Sequence, residues 1–290
     1  MTLFYCRIMH TIVEQGSFLK AAELLNLTPS AVSHSVSAME EEIGFQIFNR
    51  NKTGVTLTGY GEEIYPTVVS LLNSEENLKQ VIDRLNGLKR GTVRLGAFNS
   101  VCIQWIPGLL KQYREKFPYI EIEIYEGTYD DVIYWLNTGI IEIGFLSASC
   151  GADFQITPLY EDPLVCMVPK GFHTETPGKI TLQEMQEHPF VIQREACDAD
   201  IKKYLNERNL NIHSSCHVMD DQSTAAMVES GLGICIMPEL TSRRLSENLE
   251  VLQIDPPAVR TIGLAIPNKK NLAPAARELS HLIMSEMGQI

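Results

Sequence analysis

Over the first 60 residues, apolar positions recur at helical spacing in three short bursts. Leu3, Phe4, Ile8, Ile12 and Val13 share one helix face, and Gly16 ends the run. Ser17 is placed to cap a second helix from Phe18 to about Leu25, with Ala21, Ala22, Leu24 and Leu25 as its small or apolar face. Asn26 tolerates the left-handed backbone of a tight turn. Thr28-Pro29 then opens a third helix, with Thr as cap and Pro at the first helical position. It runs to about Ile43 with Val32, Val36 and Met39 inward, and stops at Gly44.

Ala22, Asn26 and Val32 have the intervals of a helix-turn-helix: a small residue where helices touch, a turn residue, then a β-branched apolar residue. A plain helical hairpin meets some of these demands as well. The next stretch of chain sharpens the reading. Phe45 to Phe48 and Val55 to Leu57 alternate like strands around the polar turn Asn49 to Gly54, a small β-wing with Arg50 and Lys52 at its tip. Thr58 caps a long helix reaching about Lys89. In it Ile64, Val68, Leu71, Leu78, Ile82 and Leu85 keep alternating steps of four and three, with Glu75 the exception. A lone helix has nothing to bury such a seam against, so a dimer is expected; Pro66 is expected to kink the helix or delay its regular part.

From Gly91 the period changes. Thr92–Phe98, Ile120–Tyr125 and Ile141–Leu146 read as strands, alternating with helices over Ser100–Phe117 and Tyr129–Asn137. Strands at Leu164–Val168, Ile212–Val218, Ile234–Met237 and Thr261–Ile266 and helices at Asp198–Glu207, Gln222–Ser230 and Ala273–Met287 continue the pattern. Such alternation predicts an α/β unit with parallel pairing through right-handed crossovers.

Composition adds one objection. The 290 residues carry 24 Lys+Arg against 36 Asp+Glu, a net charge of −12, and phosphate binding needs a positive footprint. The charge is uneven, however. Residues 1–90 hold 8 basic and 10 acidic side chains, leaving most of the acidity to the α/β part. At 44% apolar residues the chain can bury real cores, and no uncharged apolar run is long enough to span a membrane. The N-terminus lacks the features of a signal peptide, so the cytoplasm is the expected location and no membrane partner is expected. The seven cysteines form no CxxC pair; His213, Cys216 and His217 match no common zinc spacing, and neither metal nor cofactor is expected.

A winged helix-turn-helix, a dimerising helix and an α/β unit in that order resemble a LysR-type transcriptional regulator, over essentially the whole chain. The most specific stretches are Gly16 to Leu25, Thr28-Pro29-Ser30-Ala31-Val32-Ser33, Glu40 to Gly44, Ile47-Phe48-Asn49-Arg50 and Leu57-Thr58-Gly59-Tyr60-Gly61. Tyr125-Glu126-Gly127, Gly139 to Gly144, Val228 to Gly233 and Met237-Pro238 come after them in the right order.

The resemblance implies a fold class of two parts. An N-terminal all-α winged helix-turn-helix (1–58) with a long linker helix (59–90) precedes a C-terminal α/β domain (91–290) like a type 2 periplasmic-binding protein. That domain would divide into subdomain I (91–161 and 267–290) and subdomain II (162–266), joined by crossing strands near Glu161–Val165 and Arg260–Ile266. A small, anionic effector would sit in the crevice between them. Implied partners are double-stranded promoter DNA, the effector, further copies of the chain (a homodimer through the linker helix, and a homotetramer) and RNA polymerase.

Carried over residue by residue, the groove-facing set is Thr28, Pro29, Ser30, Ser33, His34 and Ser37, with Arg50 and Lys52 on the wing for phosphate or the minor groove. The chain departs from the family where a basic residue is common at the position of His34 and Gln at that of Ser35. No bidentate purine reader stands on this face, so hydroxyls, His34 and DNA shape are expected to carry specificity. The candidate effector residues are Asn99, Ser100, Thr128, Ser147, Ser149, Gln193, Arg194, Gln222 and Ser223, hydroxyls and amides after strands and at helix starts. Arg194 could clamp a carboxylate bidentately.

Other classes fit less of the sequence. An enzyme is not expected: no GxSxG elbow, P-loop or HExxH occurs. A plain solute-binding protein leaves the first 90 residues without a purpose. A redox sensor of the same architecture would need Cys197 or Cys216 exposed and acidified, by Arg194 and Lys202 or by His213 and His217.

Overall fold

The computed structural model describes the chain apart from residues 52–53, 86–89, 151–154, 194–198, 211, 219, 246, 268–271 and 288–290. At residues 50, 51, 84, 193 and 215 it describes the backbone only. Lys52, Arg194 and Cys197 therefore lie outside the described residues.

The head is built as its local signals require. Helix α1 (Leu3–Gln15) ends at Gly16 with φ 58°, and α2 (Phe18–Leu24) starts at Ser17, whose hydroxyl accepts from the Lys20 N–H. Asn26 takes the turn with φ 55°. Helix α3 (Pro29–Ile43) is capped by the Thr28 hydroxyl, which accepts from the Ala31 N–H at 3.1 Å, and closes at Gly44 with φ 86°. Val32, Val36 and Met39 point into a common core with Ala21, Ala22, Ile8 and Ile12. Each such large side chain, fully buried, stabilises the head by about 1.5–3 kcal/mol.

The wing differs from the expectation. Strand β1 (Phe48–Asn51) pairs with β2 (Gly54–Leu57), placing Arg50 opposite Val55 within the ladder rather than at the tip. The cause is Glu40: its carboxylate accepts from the N–H groups of Ile47 and Phe48, at 2.7 and 3.3 Å. The backbone before Phe48 is thereby held to α3, and the hairpin starts three residues later.

Helix α4 (Gly59–Leu85) begins where the Thr58 hydroxyl accepts from the Gly61 N–H and continues through the buried Pro66. A side chain at Gly61 would strike the Ile47 carbonyl, so only glycine lets the helix start beside the wing. The seam splits in two. Ile64 and Val68 pack into the head, whereas Leu71, Leu78, Ile82 and Leu85 stay exposed. Glu75, the polar exception in the stripe, pairs with Arg7 of α1 and with Lys79, and Arg7 holds its carboxyl below the usual range. The buried amides Asn73 and Gln80 tie α4 to the α/β part by donating to the carbonyls of Gly139 and Thr92.

The α/β part starts with β3 (Gly91–Ala97), followed by α5 (Asn99–Gln104) and α6 (Ile106–Lys116). One helix was expected there; it breaks at Trp105 because Pro107 has no N–H to continue the ladder and disfavours helical backbone before it. Next come β4 (Ile120–Glu126), α7 (Tyr129–Thr138) and β5 (Ile143–Ser147), then a long strand β6 (Ile156–Pro169). Beyond β6 lie β7 (Lys179–Thr181), α8 (Leu182–Gln186), β8 (Phe190–Gln193), α9 (Ala199–Glu207), β9 (Ser214–Val218) and α10 (Asp221–Glu229). The chain then runs through β10 (Cys235–Pro238), α11 (Glu239–Ser242), β11 (Leu249–Asp255), β12 (Val259–Ala265) and α12 (Pro274–Met287).

The main sheet has the order β4-β3-β5-β12-β6-β11-β7, with β10 also on β6. Parallel pairing holds for β3 with β4 and β5, and for β8 with β9. It fails for β12 and β6, which run antiparallel to each other over 156–163 and 259–265. Those two strands leave and return to the first core in opposite senses, so they meet head to tail. β6 changes partners along its length, from β12 to β10 and β11 after Pro163. The first core joins β3, β5, α6, α7 and β12 to α12, where Tyr113 donates to the Ala275 carbonyl at 2.8 Å. The second core lies around Leu164, Cys166, Val168, Phe190, Tyr204 and Ile254.

A buried carboxyl in the first core gives a pH test. Glu142 accepts from the Arg94 N–H at 2.7 Å, and burial pushes its carboxyl up to about 7. In the unfolded chain it ionises near the ordinary value of about 4.3, so the folded state loses relative stability as pH rises from there through 7. Glu142→Gln is expected to raise stability at pH 8 by about 2 kcal/mol and by much less at pH 5. Urea melts at both pH values check this; an equal effect at both contradicts it.

Candidate effector cleft and nucleic-acid interface

Thr28, Pro29, Ser30, His34 and Ser37 all face solvent on α3, with Ser33 half-buried beside them. Val32, Val36 and Met39, on the opposite side, are buried. The helix thus offers one uninterrupted polar face, beginning at an N-terminus whose positive dipole end favours a phosphate. The Thr28 hydroxyl also lies 3.0 Å from that of Ser30.

Ser100, Ser147 and Ser149 come together near the antiparallel pairing of β6 with β12. Ser100, the second residue of α5, and Ser147, the last of β5, are buried, and Ser149 comes in the next turn, half-buried. Asn99 and Gln222 line one small recess of about 110 Å³ with Ser100, Asp220 and Arg244. Ser149 lines another, of about 340 Å³, with Asp200, Lys203, Arg208 and Thr261.

Two candidate groups are not free for a ligand. Thr128 caps α7 in a reciprocal box with Asp131. Ser223 spends its N–H and hydroxyl on the Asp220 carboxylate, both at 2.8 Å. Asp220, not Gln222 or Ser223, caps α10, which starts at Asp221, one residue earlier than expected. Its carboxylate already satisfies that helix N-terminus, which corrects the expectation of an open anion seat there. Gln193 ends β8, its side chain outside the description.

Between the two recesses runs a buried polar network that sequence reasoning missed. Arg260 of β12 pairs with Asp162 of β6: Nε donates to Asp162 Oδ2 at 2.9 Å, and Nη2 lies 2.7 Å from it. They are 2% and 0% exposed, so neither charge is relieved by water. Burial, the largest influence, pushes the Asp162 carboxyl up, while Arg260 and the Leu240 N–H, donating at 2.9 Å, pull it down. The guanidinium stacks on Phe98 with its carbon 4.9 Å from the ring centroid. It also donates to the Ser100 hydroxyl at 2.7 Å and to the Tyr129 hydroxyl at 3.1 Å. Tyr129 in turn reaches Asp200 Oδ2 at 3.4 Å, and Ser147 and Ser149 donate to Asp200 Oδ1 at 2.9 and 2.6 Å. One signal for this set was readable: Arg260, the one charged residue of β12, and Asp162, just before the apolar run Pro163 to Pro169 of β6.

Residues 86–288 match the family model described as "LysR substrate binding domain", and residues 5–62 match "Bacterial regulatory helix-turn-helix protein, lysR family". The chain belongs to the LysR family. This LysR-family chain is 27% identical over 280 residues to an uncharacterized helix-turn-helix-type transcriptional regulator, YvbU of Bacillus subtilis, covering 96% of each. It is 24% identical to the helix-turn-helix-type transcriptional activator CmpR of Synechocystis, over 88% of this chain and 85% of that one. Its fold is that of CbnR complexed with its target DNA (TM-score 0.71, 14% identity, 98% of this chain and 99% of that one). A full-length OxyR variant from Pseudomonas aeruginosa has the same fold (TM-score 0.72, 23% identity, 98% and 94% covered). A LysR-type regulator with an N-terminal helix-turn-helix and a C-terminal substrate-binding domain of two subdomains is thereby established.

Proposed function

We propose that this LysR-type regulator reads promoter DNA in the cytoplasm through α3 and the wing, and is controlled by a small anionic effector bound between two subdomains of residues 91–290. The observation that carries the control half is the buried polar network where β6 pairs with β12: an Arg260–Asp162 ion pair with hydroxyls around it, flanked by two recesses. The 340 Å³ recess suits a metabolite-sized ligand. Its charged lining is balanced, Lys203 and Arg208 against Asp200 and Glu207, so an anion there would pair with the two cations beside two carboxylates.

The proposed DNA residues are Thr28, Pro29, Ser30, Ser33, His34 and Ser37, with Arg50 and Lys52 on the wing. Exposed Leu71, Leu78, Ile82 and Leu85 support dimerisation through residues 59–90, and a tetramer and RNA polymerase contact are proposed as the further assembly. Mobility shift against DNA upstream of the chain's own gene tests the whole reading; a shift that no small-molecule mixture alters and that any duplex competes away sinks it. Within it, Ser33→Ala or His34→Ala is expected to cost cognate binding about 1 kcal/mol more than nonspecific binding, since they face bases. Arg50→Ala, on a phosphate, is expected to weaken both alike and flatten the salt dependence. Titrations of both duplexes at two salt concentrations decide; the same loss from all three variants contradicts the assignment.

The redox variant rests on Cys197, outside the described residues, and on the half-buried Cys216. Burial raises the thiols of Cys6, Cys102, Cys166 and Cys235, the direction that makes those four inert.

A further inference from the structure

Asp200 is the second residue of α9, and α9 packs through Ile201, Tyr204 and Leu205 into the second core. Its carboxylate reaches out of that core into the hydroxyl set of the first, where it is 7% exposed. The protons around it can be assigned. Arginine only donates, so the Tyr129 oxygen accepts from Arg260 and its single proton is left to point at Asp200 Oδ2. The Ser147 and Ser149 oxygens also lie 3.0 Å apart, but the Asp200 carboxylate is the stronger acceptor, so both serine protons go to Asp200 Oδ1 at 2.9 and 2.6 Å. Without the carboxylate, three donors would face an empty space beside a neutral Arg260–Asp162 pair. A cation would meet only donors there. A group with two acceptor oxygens and one negative charge satisfies all three.

We propose that Asp200 is an internal ligand: in the effector-free chain its carboxylate holds the seat that a carboxylate of the effector takes, so effector binding and release of Asp200 are one exchange. The inference rests on the reading that the effector binds between the subdomains. It adds the effector's chemical class, a carboxylate, and the means by which binding is felt. Asp200 is the hydrogen-bonded link from α9 and the second core to this set, and an effector carboxylate seated on Ser147, Ser149 and Tyr129 cuts that link. The subdomains are then free to shift, at an apparent affinity lowered by the fraction of chains in which Asp200 still holds its seat.

Formate is the probe, on the full-length chain. Asp200→Ala is expected to melt below the wild type and to recover, with saturation, by about 3 °C as sodium formate rises to about 100 mM, whereas sodium chloride does not restore it. Wild type, its seat filled, and Asp200→Asn, which keeps an acceptor oxygen for the serines, are expected to respond to neither salt. Formate and chloride acting alike on Asp200→Ala overturns the proposal. If that variant does not fold, Asp200→Ser gives the same comparison; recovery of folded protein only with formate supports the seat, and failure with and without it overturns the proposal. Footprinting on upstream DNA separates the two layers. No melting rescue defeats the internal ligand and leaves the effector reading untouched; Asp200→Ala already lacks the link, so its footprint is expected to differ from the wild type's, and rescue with the wild-type footprint shows a link that is not regulatory and overturns the exchange.

Discussion

Arg260→Met is expected to lower the stability of the α/β part by about 3–5 kcal/mol, the loss typical of removing one partner from a buried ion pair. Methionine fills much of the arginine volume and keeps the contact with Phe98, so the loss measures charge and hydrogen bonding rather than a cavity. Asp162 would keep only the Leu240 N–H, and Tyr129 and Ser100 would each lose a donor. The sign of the pH dependence is fixed by the orphaned carboxyl. Buried and without its cation, it takes up protons more readily folded than unfolded, so the variant regains stability on acidification and loses it as pH rises. Asp162→Asn in the Arg260→Met background is expected to recover part of the loss at pH 8. Urea melts followed by fluorescence report on this part directly, because both tryptophans, Trp105 and Trp135, lie in it. A loss under about 1 kcal/mol, or no recovery in the double variant, contradicts the account.

Leu78→Glu combined with Ile82→Glu is expected to make the chain monomeric at micromolar concentration and to cut binding to upstream DNA by about 100-fold or more. These side chains are 59% and 48% exposed, so the exchange costs the monomer little of its own core. In a paired helix they would be buried together with Leu71 and Leu85, each worth up to about 1.5–3 kcal/mol when fully covered. The DNA loss is the larger effect because residues 1–90 carry 8 basic against 10 acidic side chains. A head without net positive charge gains little from counterion release, and its useful affinity comes from a second head held nearby. Sedimentation and mobility shift together check this. A dimer mass that survives both glutamates places the interface elsewhere; a monomer that still binds DNA as tightly removes the need for two heads.

The head is legible because its information is local. Thr28, Pro29, Asn26, Gly16 and Gly44 act on the backbone within a few residues of themselves, and each has its expected role in the structure. The wing starts three residues late for a reason no local rule contains: Glu40, seven and eight residues upstream, captures the N–H groups of Ile47 and Phe48. The seam of α4 is visible along the chain as a stripe. Its division between the head core and open solvent depends on what the helix packs against.

The effector cleft is legible only in outline. Ser100, Ser147 and Ser149 can be picked out because hydroxyls at strand ends and helix starts converge in a fold of this kind. Thr128 and Ser223 have the same local signature, yet Asp131 and Asp220 occupy them as caps. A hydroxyl that caps its own helix and one that faces a ligand look identical along the chain, since both obey the same backbone rule.

By itself, then, the sequence determined the order of parts, the polar face of α3, the stripe of α4 and the change from a helical head to an α/β unit. All of these rest on periods and caps that act over a few residues. Only the tertiary structure decided that Arg260 meets Asp162 across 98 residues, Tyr129 across 131, and that Asp200 reaches Ser147 across 53. Those pairings exist because β6 and β12 cross in opposite directions and bring α9 against the end of β5. No spacing rule spans such separations. Burial at the crossing is what turns these ordinary polar side chains into a single network.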